Sequence, residues 1–154
     1  MTLAVVVSGS RRTEHRPASD YDGLFGVYLA PFVAVGGSVF VGGAVGVDTL
    51  ASRWLVRHTA ARLKVVVPGT VGDQPGEARE VIAAARARPS LFELTELRHP
   101  SFPSAAAYHA RNRWMVDRAG LLVAFPCGDD PKSGTAYTIN YAAERGLPRL
   151  IVPI

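Results

Sequence analysis

Three short stretches of this chain combine glycine, hydroxyl and basic residues as anion-binding turns do. Ser8-Gly9-Ser10-Arg11-Arg12 leaves an apolar run carrying two hydroxyls and two guanidinium groups. Gly42-Gly43-Ala44-Val45-Gly46-Val47-Asp48 leaves a second run, and Ser133-Gly134-Thr135 opens a helix-like pattern near the end of the chain. Main-chain N–H groups at a helix start point at negative charge, and the planar guanidinium fork matches phosphate or carboxylate. The chemistry on offer is recognition of a phosphate-bearing ligand. Each stretch also has a plainer use: a strand-to-helix turn with solvated arginines, an Asp48 that complements its helix dipole or braces the neighbouring loop, and an N-cap. Glycines Gly42, Gly43 and Gly46, crowded at one junction, predict a backbone that turns sharply or lies against something else.

A fourth block, Arg111-Asn112-Arg113, falls inside a helical pattern. Helical spacing sets Arg111, Met115 and Arg118 roughly on one side and Trp114 with Asp117 on another, so the basic groups cannot all serve one ligand. Arg111 and Asn112 are placed to reach over the strand ends. Other chemistries lack their residues. The spacing of Gly42, Gly43 and Gly46 is not the G-x-G-x-x-G fingerprint, and no acid follows at the distance that holds a ribose. His15, His58, His99 and His109 show no ligand spacing, and Asp129-Asp130 reads as a solvated turn, so no metal site and no cofactor are expected. Cys127 stands alone, without a His or Asn placed by sequence to activate it. No catalytic residue is assigned.

These stretches need a scaffold that brings them together. Short apolar runs at Leu3–Val7, Ser38–Val41, Leu63–Val67, Leu91–Leu94, Leu121–Phe125 and Arg149–Val152 alternate with helical patterns near Ser19–Val35, Val47–Ala61, Gly76–Ala87, Ser104–Arg118 and Thr135–Arg145. The runs are continuous rather than alternating, as in parallel strands buried on both faces. Gly36-Gly37 is expected to close the first helix, and the stretch from Val71 to Pro103 reads least clearly. The expected fold is α/β, a Rossmann-like three-layer arrangement with a mostly parallel sheet of about six strands flanked by helices, forming a single domain over residues 1–154. Such sheets bind ligands beyond the carboxyl ends of the strands, where strand order reverses. The turns after the strands are therefore the places to look.

Composition agrees. The 154 residues are 48% hydrophobic and 19% charged, with a mean hydropathy of +0.14, a globular composition that can bury one core. No apolar run nears the ~20 residues of a membrane span, and the basic residues follow the first apolar run instead of preceding it. A soluble, cytoplasmic protein without membrane contacts is expected. Net charge is +4, and 15 of 17 basic residues are Arg. That balance slightly favours an anionic ligand, although a compositional preference for Arg explains it equally well.

Taken together, "SGSRR", "GGAVGVDTLA", "HARNRWMVDRAGLLVAF" and "SGTAYTINYAAERGLPRLIVPI" resemble the SLOG superfamily, in particular the Rossmann-like core of DNA-processing protein A and the small YspA-like single-domain members. The resemblance implies a site for nucleotides, nucleotide-derived signals or nucleic acid at the strand ends. Carried over by position, Gly9, Ser10 and Arg11 form a first phosphate loop and Gly42, Gly43, Gly46 and Asp48 a second. Arg111 and Asn112 stand for the family's Arg-Asn-Arg block, and Ser133, Gly134 and Thr135 for the last loop. The related phosphoribohydrolases, often labelled lysine decarboxylases, carry P-G-G-x-G-T-x-x-E with a catalytic glutamate; here Thr138 takes the glutamate's place and cannot act as a carboxylate. The leading expectation is a homodimeric or larger sensor-like module that binds a nucleotide or nucleotide-derived ligand. Single-stranded DNA binding is the alternative, and a nucleotide N-glycosidase using Asp48 or Glu144 is a third and disfavoured reading.

Overall fold

A computed structural model describes residues 3–33 and 36–154. Its strands are β1 (Ala4–Gly9), β2 (Ser38–Val41), β3 (Arg62–Val67), β4 (Phe92–Glu96), β5 (Leu121–Phe125) and β6 (Arg149–Ile151). The helices are α1 (Ala18–Tyr28), α2 (Val47–His58), α3 (Gly76–Ala85), α4 (Ala105–Val116) and α5 (Gly134–Glu144). The six strands form one sheet in the order β4-β3-β2-β1-β5-β6, and every pairing is parallel. The expected α/β Rossmann-like fold is the observed one. Strand order reverses between β1 and β5, which opens a crevice at their carboxyl ends.

Both faces of the central strands β2, β1 and β5 are buried, which is why their sequences read as unbroken apolar runs, whereas the edge strands β4 and β6 are partly exposed. Val5, Val7, Val39, Val41, Val65, Val123 and Phe125 pack against Phe25 of α1, Trp54 and Leu55 of α2 and Ile82 of α3. Val6, Phe40, Val66, Leu122 and Ala124 face the other way, onto Met115, Val116 and Ala142 of α4 and α5. Phe25 anchors the first layer, edge-on to Phe125 with ring centroids 5.3 Å apart.

Several boundaries move for local reasons. β1 runs on to Gly9 because its pairing with β5 continues through Ser8↔Ala124 and Gly9↔Phe125. The first helix stops at Tyr28, not at Gly36-Gly37; Pro31 lacks an N–H and its ring disfavours a continued helix, so a single 3-10 turn over Ala30–Phe32 follows. The remainder of that expected helix, Ala34 and Val35, lies outside the described residues. α2 ends at His58, with Thr59 bonding back to the Leu55 carbonyl through both N–H and hydroxyl. The unclear stretch resolves into α3, β4 and a loop whose Thr70–Asp73 segment is a capping box. Among the described residues, no helix is long and apolar enough to cross a membrane.

Candidate functional site

The crevice between β1 and β5 is a cavity of about 590 Å3, within the range of small-molecule sites. The β1 turn supplies Gly9, Ser10, Arg11 and Arg12; the β2 turn supplies Ala44 and Asp48. From α4 come Tyr108, His109, Arg111 and Asn112, and from the β5 turn and the start of α5 come Cys127, Asp130, Lys132, Ser133, Gly134 and Thr135. The turn after β3 contributes nothing, since β3 lies two strands from the order reversal.

Nine of the twelve expected site residues line this cavity: Gly9, Ser10, Arg11, Asp48, Arg111, Asn112, Ser133, Gly134 and Thr135. Gly42, Gly43 and Gly46 do not. A Cβ at Gly42 would come within 2.5 Å of the Arg111 guanidinium and 2.8 Å of the Asp48 carboxylate. At Gly46 it would collide with the Ser10 carbonyl and the Arg11 backbone. Gly43 packs toward Val65, Val67 and Gln74. The close approach forecast for these glycines is real, but the neighbour is the protein's own Arg111 and its β1 turn.

Arg111 braces the crevice from behind. Its Nη1 donates to the carbonyls of Gly42 and Val66, at the ends of β2 and β3, while Nε donates to Asn112 Oδ1 at 2.8 Å. Asp48 Oδ2 accepts the Ala44 N–H at 3.2 Å. Burial holds the Asp48 carboxyl above its ordinary range, with Arg111 pulling the other way, and burial likewise holds the Arg111 guanidinium below its ordinary value against the pull of Asp48. Desolvation outweighs the mutual attraction for both groups. Arg113 turns away and donates to the Tyr137 hydroxyl at 2.7 Å. Arg118 lies exposed over Trp114 at 3.8 Å.

The helix openings are used differently. At α2 the Val47 N–H donates to the Ser10 carbonyl at 3.0 Å, and the Ser10 N–H goes to the Phe125 carbonyl at 3.1 Å. Ser10 Oγ takes the Arg12 N–H at 3.0 Å. The first N–H of α2 is thus taken by the β1 turn, which lies across that helix start. At α5, Ser133 Oγ accepts from the Ala136 N–H at 3.0 Å, which leaves the N–H groups of Gly134 and Thr135, beyond reach of any intrahelical carbonyl, facing the crevice. Exposed Arg11, Arg12 and Lys132 stand around that opening. The acids lining the cavity are buried Asp48 and exposed Asp130, and the Oδ1 of Asp130 accepts the Lys132 N–H at 2.9 Å. Among the described residues no three His, Cys, Asp or Glu side chains gather as metal ligands.

Sequence reasoning missed Tyr108, His109, Lys132 and a cysteine–histidine contact. Tyr108 lies under two cations, with the guanidinium carbon of Arg11 at 5.1 Å and that of Arg111 at 5.9 Å from its ring centroid. The spacing Ala105, Tyr108, His109, Asn112 marks one face of α4 and would have disclosed the first two. Cys127 Sγ and His15 Nε2 are 3.9 Å apart, a contact between positions 112 residues apart in sequence that no local pattern announces. Thr138 is fully buried and gives its hydroxyl to the Gly134 carbonyl at 2.9 Å. Of the two carboxylates weighed in its stead, Asp48 borders the crevice and Glu144 borders a separate cavity.

Sequence comparison decides the family. The model for DNA recombination-mediator protein A matches residues 2–154. The chain belongs to the DNA recombination-mediator protein A family. No curated protein matches it. Among solved structures, DNA processing protein A from Streptococcus pneumoniae superposes with a TM-score of 0.57 at 14% identity, covering 98% of this chain and 59% of that one. At that identity the likeness is one of fold, and this chain spans about three-fifths of the length of that relative. The part shared is the Rossmann-like core that carries the crevice.

Proposed function

We propose that the crevice binds a nucleotide or nucleotide-derived ligand through its phosphate. One observation carries this reading: Arg11, Arg12, Lys132 and the free opening of α5 converge where strand order reverses, with the Tyr108 ring alongside. A phosphate at the α5 opening meets main-chain N–H groups and cations together, and a base or ribose has an aromatic surface next to it. The site holds and orients; binding without conversion suits a sensor. Titration calorimetry across nucleoside mono-, di- and triphosphates checks the reading. Arg11→Ala is expected to weaken the best ligand about 10- to 100-fold, the range of one charge-assisted hydrogen bond. No heat from any of these ligands, or an unchanged affinity in the variant, would sink it.

Membership of the DNA recombination-mediator protein A family favours a second reading, in which the phosphate belongs to single-stranded DNA. Three exposed cations at one crevice would release about three counterions, giving a slope of log K against log salt near −2 for a single strand. Oligonucleotide binding indifferent to salt would exclude that reading.

A further inference from the structure

Beside the main crevice lies a second cavity of about 420 Å3. His109, Lys132 and Ser133 border both, so the two adjoin at the point where the phosphate seat is proposed. Its far wall is one face of α5: Tyr137, Asn140, Tyr141 and Glu144 recur at the i, i+3, i+4, i+7 spacing. The rings form a parallel row. His109 stacks on Tyr137 at 3.8 Å and 4°, and Tyr137 and Tyr141 are parallel within 5° at 6.4 Å.

That row is fixed in place before any ligand arrives. The Tyr137 hydroxyl accepts from Arg113 Nη1 at 2.7 Å, and the Tyr141 hydroxyl donates to Asp117 Oδ1 at 2.7 Å. Asp117 is held in turn by Arg145 Nε at 3.4 Å. Aromatic side chains pinned by their hydroxyls lose little further freedom when a flat ring packs against them. Asn140 and Glu144 supply an amide and a carboxylate at the rim, and a carboxylate only accepts hydrogen bonds. A base bearing an exocyclic amino group is the matching partner.

Resting on the proposed function of the main crevice, we propose that this second cavity takes a second nucleoside of the same ligand. The bound species then carries two nucleosides joined through phosphate, with the linkage beside Lys132 and Ser133 and an amino-bearing base against Tyr137 and Tyr141. A free dinucleotide and two neighbouring residues of a strand share this chemistry.

The test compares adenosine monophosphate, 5′-phosphorylated diadenylate and a longer oligoadenylate on the full chain. Diadenylate is expected to bind about tenfold tighter than the monophosphate, toward the lower end of what one stacked base contributes. Tyr141→Leu, outside the main crevice, is expected to erase that gain and leave monophosphate affinity unchanged. Diuridylate, lacking the amino group, is expected to gain less. Asn140→Ala, an exposed substitution, gives the same comparison should Tyr141→Leu fail to fold. Equal affinity for monophosphate and diadenylate in the unaltered protein overturns this proposal alone, as does a Tyr141→Leu that weakens both equally; no binding by any probe overturns the crevice reading with it. A further gain for the longer oligomer identifies a strand as the source, and a plateau at diadenylate identifies a free dinucleotide.

Discussion

Arg111→Met is expected to lower the unfolding free energy by about 3–5 kcal/mol at neutral pH, the loss that follows when several buried acceptors are left without their charged donor. Three buried acceptors lose their donor at once: the carbonyls of Gly42 and Val66 and the Asn112 side-chain oxygen. The Asp48 carboxyl also loses the cation that opposes its upward shift. Asp48→Asn in the same chain is expected to return part of the loss, because the uncompensated charge goes with it. Urea titration of the single and double variants supplies the numbers. A single variant that costs less than about 1 kcal/mol would show that Arg111 is not what holds α4 to the strand ends.

The same pair fixes a pH dependence. Burial raises the folded-state pKa of Asp48 above its unfolded value, so folding takes up a proton between about 3.9 and the raised value. The contribution of Asp48 is fully present below the unfolded pKa and is lost as pH climbs through the folded one. Arg111→Met removes the cation that opposes this shift, and the deficit of the variant therefore narrows as the solution is made more acidic. Urea midpoints collected between acid and neutral pH would refute the assignment if Asp48→Asn left the slope of the unaltered protein intact.

Gly46→Ala is expected to cost about 2–5 kcal/mol, combining a disallowed backbone with overpacking. Gly46 caps α2 at φ 81° and ψ −130°, a combination that L side chains avoid. An added Cβ would also collide with the Ser10 carbonyl, which takes the Val47 N–H at 3.0 Å. Backbone on both sides cannot step aside as a side chain can. The substitution therefore loosens the β1 turn that carries Arg11, and ligand affinity is expected to fall with stability. Gly23→Ala, in mid-helix α1 where an added Cβ meets open space, is expected to raise stability by about 0.5–1 kcal/mol. Thermal unfolding of the two variants side by side gives the comparison. Equal melting temperatures for Gly46→Ala and the unaltered protein would refute the packing assigned to that turn.

Much of this molecule was written locally. Unbroken apolar runs required strands covered on both faces, and the helical patterns between them required parallel crossovers, so the layered fold and the location of its crevice followed from periodicity and chain order. Ser133 and Thr135 announced the opening of α5 by their types alone, since capping depends on a few consecutive residues. The end of α1 was equally local, in Pro31, although the double glycine that follows was the more conspicuous stop.

The tertiary structure alone decided who meets whom. Nothing in Gly42-Gly43-Ala44-Val45-Gly46 distinguishes a glycine that makes room for a ligand from one that makes room for Arg111, because the sequence records the missing Cβ and not the atom that takes its place. Arg111 and Arg113 differ by two positions and by about half a helical turn, yet one is buried against strand carbonyls and the other pins Tyr137. The parallel row of His109, Tyr137 and Tyr141 spans two helices, and the pairing of His15 with Cys127 spans most of the chain. Such contacts arise only when crossover connections set one turn beside another, and periodicity within a single element carries no trace of them.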